Sequence, residues 1–303
     1  MSIMQRADFR RELQAGLYGT FGMTYEDWKS EWPEIFESDK SEKAYEEELL
    51  LVGLGVADET SEGEGVSFDG GGESWSARYV HKKVTKAFSI TEEAVDDNLY
   101  ENTATLYAKS AARSIRVREE VDAASLLAGG FGNAGPDGTS LFSNSHPLRG
   151  GGVGGNMLAT SADLSEEGLE DASTQISRLT DDRGVPVMIR ARKLIVPVEQ
   201  NFIAHRILNS TGRVGTNLND PNAMKDQKTI KDGYAINHFL TDPDQWTLLT
   251  DAEQGFRHFE RKGVKKTTHF DFQTGNMQVK FVKRYSFGYT NWRAGFGSHG
   301  SPV

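Results

Sequence analysis

The chain has 303 residues, a formal net charge of −10 at pH 7 and no cysteine. Without cysteine, the protein cannot form disulfides or zinc–thiolate sites, and thiol catalysis is excluded. The acidic balance disfavours tight wrapping of nucleic acid, which requires concentrated Lys and Arg. There is neither a run of about 18 apolar residues nor an apolar secretory segment near the start. We therefore expect no membrane partner.

The first predicted elements are an acidic arm and a β-hairpin. Residues 24–50 are polar, with widely spaced aromatic side chains, and indicate an arm that lies on another surface. Val66 and Phe68 alternate with polar residues before the glycine run 69–72, and Trp75, Ala77 and Tyr79 alternate after it. This pattern predicts a hairpin with a glycine turn. Because an isolated hairpin is marginal in water, we expect it to lean on something else.

A long helix is predicted next, over residues 91–128, which contain neither Gly nor Pro. Its apolar side chains fall roughly along one face. The residues expected in its core are Leu99, Leu106, Ile115 and Val121. Such a helix is far longer than average, so we expect it to span a whole domain.

The glycines at 150, 152 and 155 match the G-x-G-x-x-G pattern of dinucleotide sites. That pattern has a mechanism only between a buried strand and a helix N-terminus. Here a polar segment with a proline precedes the glycines, and the next helix starts about ten residues later. We interpret the stretch as a flexible connector.

The second half of the chain alternates helices and strands. A helix capped by Ser165 is followed by a strand at 188–197, a helix at 198–210 and a polar loop at 211–233. Further strands are predicted at 234–240 and 245–251, and a closing hairpin at 270–292. A polar loop this long is usually functional or makes contacts.

No pattern in the sequence supports catalysis. The seven histidines have no metal-ligand spacing, and no G-x-S-x-G elbow is present. The stretch "SNSH" (143–146) has no partner acid at an informative spacing. The carboxylates within 90–97 lie at a helix start, where they complement the helix dipole. We predict no enzyme, no metal and no cofactor, with a divalent-metal α/β enzyme using residues 92–97 as a less favoured alternative.

Four phrases carry a resemblance to a known family. They are "AFSITEEAVDDNLY" (87–100), "DGTSLFSNSHPL" (137–148), "RKLIVPVEQNFIAHRIL" (192–208) and "LTDPDQWTLLTD" (240–251). Together with the order of elements, they make the chain resemble the major capsid proteins of tailed bacteriophages, closest to the Mu-like prophage major head subunits. The ending "YTNWRAGFGS" departs from that branch. The resemblance implies an α+β fold of the Hong Kong 97 type, which encapsulins share.

The resemblance also implies a division of the chain. The expected parts are an N-terminal arm (1–58), an extended hairpin called the E-loop (59–86), a peripheral P-domain with the long spine helix (87–162), an axial A-domain (163–270) and closing strands of the P-domain (271–303). The implied function is structural. Pentamers and hexamers would close into an icosahedral shell around loosely held double-stranded DNA, with an encapsulin-like compartment as the alternative.

The resemblance also implies which residues make contacts between subunits. The E-loop contacts would be Phe68, Trp75, Tyr79, Lys82 and Lys83, and the loop at the capsomer centre would use Arg213, Asn217, Asn219, Asp220 and Lys225. No Lys could be paired with an Asn and a catalytic Glu, so non-covalent assembly is favoured. Either a separate scaffold protein or a cleaved-off extension is expected to guide assembly, and a portal and decoration proteins are the other expected partners. The expected location is the virion, after assembly in the bacterial cytoplasm.

Overall fold

A computed structural model describes residues 29–93, 101–212 and 221–300. Most of the fold is built on two four-stranded sheets. The strands are β1 Glu37–Lys40, β2 Tyr45–Val52, β3 Gly72–Val80, β4 Lys82–Ile90, β5 His146–Pro147, β6 Val153–Gly154, β7 Ala191–Val196, β8 Tyr234–Ile236, β9 Trp246–Thr250, β10 Phe256–Phe270, β11 Met277–Tyr289 and β12 Gly295–Ser298. The α-helices are α1 Glu101–Ala128, α2 Glu166–Ser177, α3 Asn201–Asn209 and α4 Ala223–Asp226.

The first sheet has the order β1-β10-β11-β4 and is covered on one face by α1. Strands β10 and β11 form a long antiparallel hairpin from Phe256 paired with Tyr289 to Phe270 paired with Met277. The predicted domain boundary at residue 270 falls within this hairpin and is wrong there. β10 belongs with the helix-covered sheet because its backbone pairs with β11 along almost its whole length.

The helix α1 packs through small residues. Ala108, Ala111, Ala112 and Ile115 form a cluster with Met277, Val279 and Phe281 of β11. Alanines on the contacting face allow the helix backbone to approach the sheet closely, and Ile115 fills the centre with an exposed fraction of 1%. α1 therefore provides much of the buried surface that stabilises the first sheet.

The predicted core of this helix is partly wrong. Leu106 is 66% exposed and Val121 is 39% exposed in the subunit. An α-helix turns by about 100° per residue, which places Leu106 about 180° from Ile115 around the helix axis. Leu99 lies outside the described residues, as does the rest of 94–100, although Glu92 and Glu93 are helical as predicted.

The second sheet has the order β12-β9-β7-β8 and packs against α2 and α3. Ser165 caps α2 as predicted, because its Oγ accepts a hydrogen bond from the Gly168 N–H at 3.1 Å. The core includes Trp246, Leu194 and Ala204. β12 was expected among the closing strands of the first unit. It instead pairs with β9, so the end of the described chain returns to the second sheet.

The predicted hairpin exists with a different partner strand. β3 pairs antiparallel with β2, from Tyr45 opposite Val80 to Val52 opposite Gly72. Val66 and Phe68 lie in no strand, and Phe68 is 97% exposed. The sequence "YEEELLLV", which is predicted to lie in the arm, forms β2, and its backbone pairs with β3. Residues 53–71, here called the distal loop, connect the two strands.

The glycine-rich stretch is packed rather than flexible. β5 and β6 form a small hairpin, and Gly151 and Gly152 in its turn have φ angles of 96° and 87°. A Cβ on Gly154 would lie 2.7 Å from the Trp292 ring. A side chain at these positions would therefore be strained or would clash, so the connector interpretation is corrected.

Candidate assembly surfaces

The root of the β2–β3 hairpin is fixed to the body by Tyr79. This side chain is buried and contacts Phe259 edge-to-face, with ring centroids 4.9 Å apart. Its hydroxyl lies 2.5 Å from the Thr290 Oγ1, which donates to the Glu48 carboxylate at 2.7 Å. Burial raises the pKa of the Tyr79 phenol, so the hydroxyl stays protonated. Tyr79 thus lies in an internal contact of the subunit rather than on a free surface.

A second group of contacts fixes the start of β3. The Ser74 hydroxyl donates to Asp182 Oδ2 at 2.6 Å, and Asp182 also pairs with Arg293 at 3.0 Å. The Arg149 guanidinium lies over the Trp75 ring at 3.9 Å and donates to the Ser74 carbonyl at 2.8 Å. Asp182 and Arg293 are buried. These contacts set the direction in which the hairpin leaves the body.

The distal loop itself is held only at its end. Arg183 binds the Asp69 carboxylate at 2.6 Å and donates to the Gly70 carbonyl. The hydrogen bond from Arg183 lowers the pKa of Asp69 to about 2. Beyond this contact, the loop exposes Leu54, Val56, Val66 and Phe68 to solvent. Four large apolar side chains on one loop indicate a surface that is buried against a partner.

The two lysines expected in the same region lie at the base of the hairpin. Lys82 is exposed, and its Nζ lies 3.8 Å from Asp122 Oδ1 on α1. Lys83 is exposed on β4. Asp122 also accepts from the buried Tyr285 hydroxyl at 2.8 Å. Lys82 therefore contributes to the contact between α1 and the sheet, whereas Lys83 remains available to a partner.

A buried charge cluster joins α1 to β10 and β11, and no local sequence pattern indicates it. Glu119 is fully buried and pairs with the buried Lys283. Arg116 lies 3.7 Å from Glu119, and Glu260 lies 3.6 Å from Lys283. The next residue, Glu120, accepts hydrogen bonds from the backbone N–H groups of Glu31 and Trp32, each at 3.0 Å. The cluster therefore also anchors the described part of the arm.

His258 lies at the centre of these contacts. Its ring contacts the Trp32 ring in a tilted arrangement, with centroids 4.2 Å apart. Its Nδ1 is 2.8 Å from the Ser38 Oγ, and its Nε2 is 3.8 Å from Glu119. Burial, together with the charge of Lys283, lowers the pKa of His258 to about 3. The fold therefore stabilises the neutral imidazole.

We expect acid to destabilise the subunit through His258. The contribution of the neutral ring is fully present above about pH 6.5 and is lost as the pH falls towards about 3. A shift of this size corresponds to at most about 5 kcal/mol. Thermal unfolding across this pH range should show a smaller loss of stability for His258→Gln than for the parent. Identical slopes for the two proteins would contradict the assignment.

The predicted capsomer-centre loop is described only at its base. Arg213, Asn217, Asn219 and Asp220 lie outside the described residues. Lys225 lies on α4, where its Nζ donates to the Asn209 carbonyl at 2.9 Å. The buried Asn222 donates to the Ile207 carbonyl at 2.5 Å and caps α4 by accepting from the Lys225 N–H at 3.2 Å. These contacts fix the base of the loop to α3.

The Asp137–His146 pair resembles part of a catalytic site, but its role is structural. Asp137 Oδ2 lies 2.5 Å from His146 Nδ1, so the histidine of "SNSH" does have a partner acid, and that sequence interpretation is corrected. His146 is fully buried and stacks on Trp292 at 4.2 Å. Its Nε2 lies 3.2 Å from both the Leu141 carbonyl and Asn156 Oδ1. With both ring nitrogens occupied and no exposed surface, this pair holds the β5–β6 region together.

Over residues 29–93, 101–212 and 221–300, no group of His, Asp and Glu side chains is arranged to hold a metal ion. Of the carboxylates at 92–97, Glu92 and Glu93 are described, and the other two lie outside that part of the chain. No described helix is both long and apolar enough to cross a membrane.

Comparison with known proteins identifies the class. The model of a family described as phage capsid protein matches residues 76–297. No curated protein sequence matches the chain. Among solved structures, a chain from Mycobacterium phage Adephagia is similar with a TM-score of 0.54 at 12% identity, covering 91% of each chain. The virus-like particle from Pyrococcus furiosus gives 0.53 at 10% identity, covering 93% of this chain and 97% of that one. The capsid of Myoviridae phage XM1 gives 0.51 at 14%, covering 88% and 89%.

These similarities confirm the predicted α+β fold of the Hong Kong 97 type. The chain belongs to the phage capsid protein family. It is a major capsid protein, a structural component of the virion that associates with copies of itself into an icosahedral shell. The family match favours this function over the encapsulin-like alternative. Placement in the Mu-like branch stays a prediction.

Proposed function

We propose that the β2–β3 hairpin is the E-loop of this capsid protein and makes the principal contact with a neighbouring subunit. The main support for the proposal is the contrast between the paired strands and the distal loop. The strands are held to the body by Tyr79 at the root and by Ser74 and Asp182 at the start of β3, whereas the distal loop exposes four large apolar side chains. A loop whose direction is fixed by the strands, but whose apolar side chains are not buried in its own subunit, is suited to packing on another copy.

The remaining parts have corresponding roles in the proposal. The first sheet with α1 is the P-domain, and the second sheet with α2 and α3 is the A-domain. The loop that includes 213–220 points to the centre of pentamers and hexamers. The described residues at its base are held to α3 by Asn222. Trp75 supports the hairpin from within the subunit, through its contact with Arg149.

The shell would enclose double-stranded DNA with loose contacts, because a chain of net charge −10 has no overall attraction for a polyanion. Assembly would take place in the bacterial cytoplasm with a separate scaffold protein, a portal and possible decoration proteins. The contacts would be non-covalent, and no catalytic step is involved.

Removing the tip of the distal loop tests this proposal. Deletion of residues 57–67 leaves the β2–β3 ladder and the Asp69–Arg183 contact in place, and the Gly55 N–H already lies 2.7 Å from the Asp69 carboxylate. We therefore expect a folded subunit with an unchanged unfolding temperature that forms no closed shells. Electron microscopy and sedimentation measure the particles, and calorimetry measures the fold. Normal shells from the deletion variant would overturn the proposal.

A further inference from the structure

The first sheet has a cationic face on the side away from α1. In β11, Val279, Phe281 and Lys283 point towards the helix, so the residues between them point to the opposite side. The strand register places five cations on that side, which we call the cationic face. They are Lys83 of β4, Lys262 and Lys265 of β10, and Lys280 and Arg284 of β11. Four of them are exposed, and Arg284 is half-buried.

The charges of the cationic face are not compensated within the described part of the subunit. Arg284 is in register with Lys83 on one side and with Lys262 on the other, and like charges directly opposite each other destabilise a sheet. Strands β4 and β11 and residues 261–270 contain no Asp or Glu. None of the five cations forms an ion pair with a described residue. A negatively charged partner would therefore relieve a repulsion between these side chains.

The neutral side chains between the cations can donate hydrogen bonds. Thr85, Ser89, Thr267 and Gln278 lie on the same side of the sheet. Proteins contact phosphate oxygens with Arg, Lys, Ser, Thr and Gln side chains. From Ser89 to Lys83 and in the residues paired with them, this side has no Tyr, Trp, Phe or Met. Because protein–protein interfaces are enriched in those residues and depleted in Lys, the composition favours a phosphate backbone over an acidic protein.

The length of the face also suits duplex DNA. From Gln278 to Arg284, β11 covers about 20 Å at about 3.4 Å per residue. One DNA strand presents a phosphate about every 3.4 Å along the helix axis, so about six phosphates lie within that length. The five cations can therefore neutralise most of the charge on such a segment of one strand.

We propose that the cationic face binds the phosphate backbone of duplex DNA inside the shell. This inference rests on the proposed function and adds the surface of the subunit that touches the DNA. It is compatible with the net charge of −10, because at about 0.1 M salt exposed charges more than about 10 Å away are largely screened. Phosphate contacts carry no sequence information, so the binding does not depend on base sequence. The cationic face then lines the inner wall of the shell.

Salt-dependent binding tests the assignment. Lys265→Gln with Lys280→Gln removes two exposed charges from the face. The probe is a fluorescent DNA duplex, and anisotropy is measured on dilute, unassembled protein between about 50 and 200 mM salt. Each phosphate contact contributes about 0.9 to the slope of log K against log salt, so the variant should have a slope shallower by about 1.8. Its binding at the lowest salt should be weaker by at least about tenfold.

The matched control is Lys40→Gln with Lys231→Gln, which removes two exposed charges outside the cationic face. Its slope should stay within about 0.5 of the parent's, because no phosphate contact is lost. Equal slopes for the face variant and the parent would overturn the assignment. A control variant that loses as much affinity as the face variant would also overturn it, since binding would then follow net charge alone.

The shells themselves distinguish DNA from a protein partner. The face variant should form shells in the parent's yield, and electron microscopy of the parent should show the cationic face on the inner wall. Loss of shells with unchanged DNA binding would assign the cations to a protein contact and overturn the proposal. Shells in which the face points outwards would also overturn it. The deletion of residues 57–67 tests the proposed function separately, because it leaves the cationic face intact.

Discussion

Ile115→Asp should unfold most of the subunit. The side chain is buried among Ala111, Ala112, Val279 and Phe281, where a carboxylate would be surrounded by apolar atoms. An unpaired buried charge costs about 3–5 kcal/mol, comparable with the whole stability of many domains. Soluble yield and the thermal midpoint measure the effect.

Leu106→Asp is the matched control, since it makes the same chemical change on the exposed side of the same helix. It should change the stability of the subunit by less than about 0.5 kcal/mol. Any loss of shells in this variant would then report on contacts between subunits. Equal, mild effects of both substitutions on folding would contradict the packing of α1 on the first sheet.

Lys283→Met should destabilise the subunit by about 3–5 kcal/mol, because removing one partner of a buried ion pair leaves the other charge buried. Glu119 is fully buried, and Lys283 is its closest cationic partner. Denaturant titration measures the loss. Adding Glu119→Gln to Lys283→Met should recover part of the stability by removing the buried charge.

An exposed ion pair provides the control for this prediction. Lys43 and Glu46 lie 3.1 Å apart, and the Lys43 side chain is 76% exposed. Lys43→Met should cost less than about 1 kcal/mol because solvent screens the pair. Similar effects of Lys283→Met and Lys43→Met would mean that the charge cluster does not stabilise the contact between α1 and β11.

The elements that depend on local pattern could be predicted from the sequence. The long helix has no Gly or Pro, and α2 directly follows its N-cap Ser165, whose hydroxyl caps the first turn. Signals of this kind act over three or four residues and can be read without tertiary structure. The order of these elements also carried the resemblance to phage capsid proteins, which the family match confirms.

Pairing between distant segments could not be predicted in the same way. β3 pairs with β2 across the distal loop, whereas the glycine run next to β3 suggested a tight turn. Glu119 and Lys283 are separated by 164 positions, so no local pattern relates them. Leu106 is exposed because another face of α1 packs against β11. Apolar residues occur on more than one face of this helix, so the sequence pattern alone does not show which face is buried.

Electron microscopy of the purified protein, beside the variant that lacks residues 57–67, shows directly whether this chain forms shells and whether the distal loop is needed for them. Closed icosahedral shells are expected for the parent, and dispersed, folded subunits are expected for the deletion variant. A parent protein that stays monomeric at high concentration, both alone and when co-produced with a scaffold protein encoded beside it, would contradict assembly into a shell.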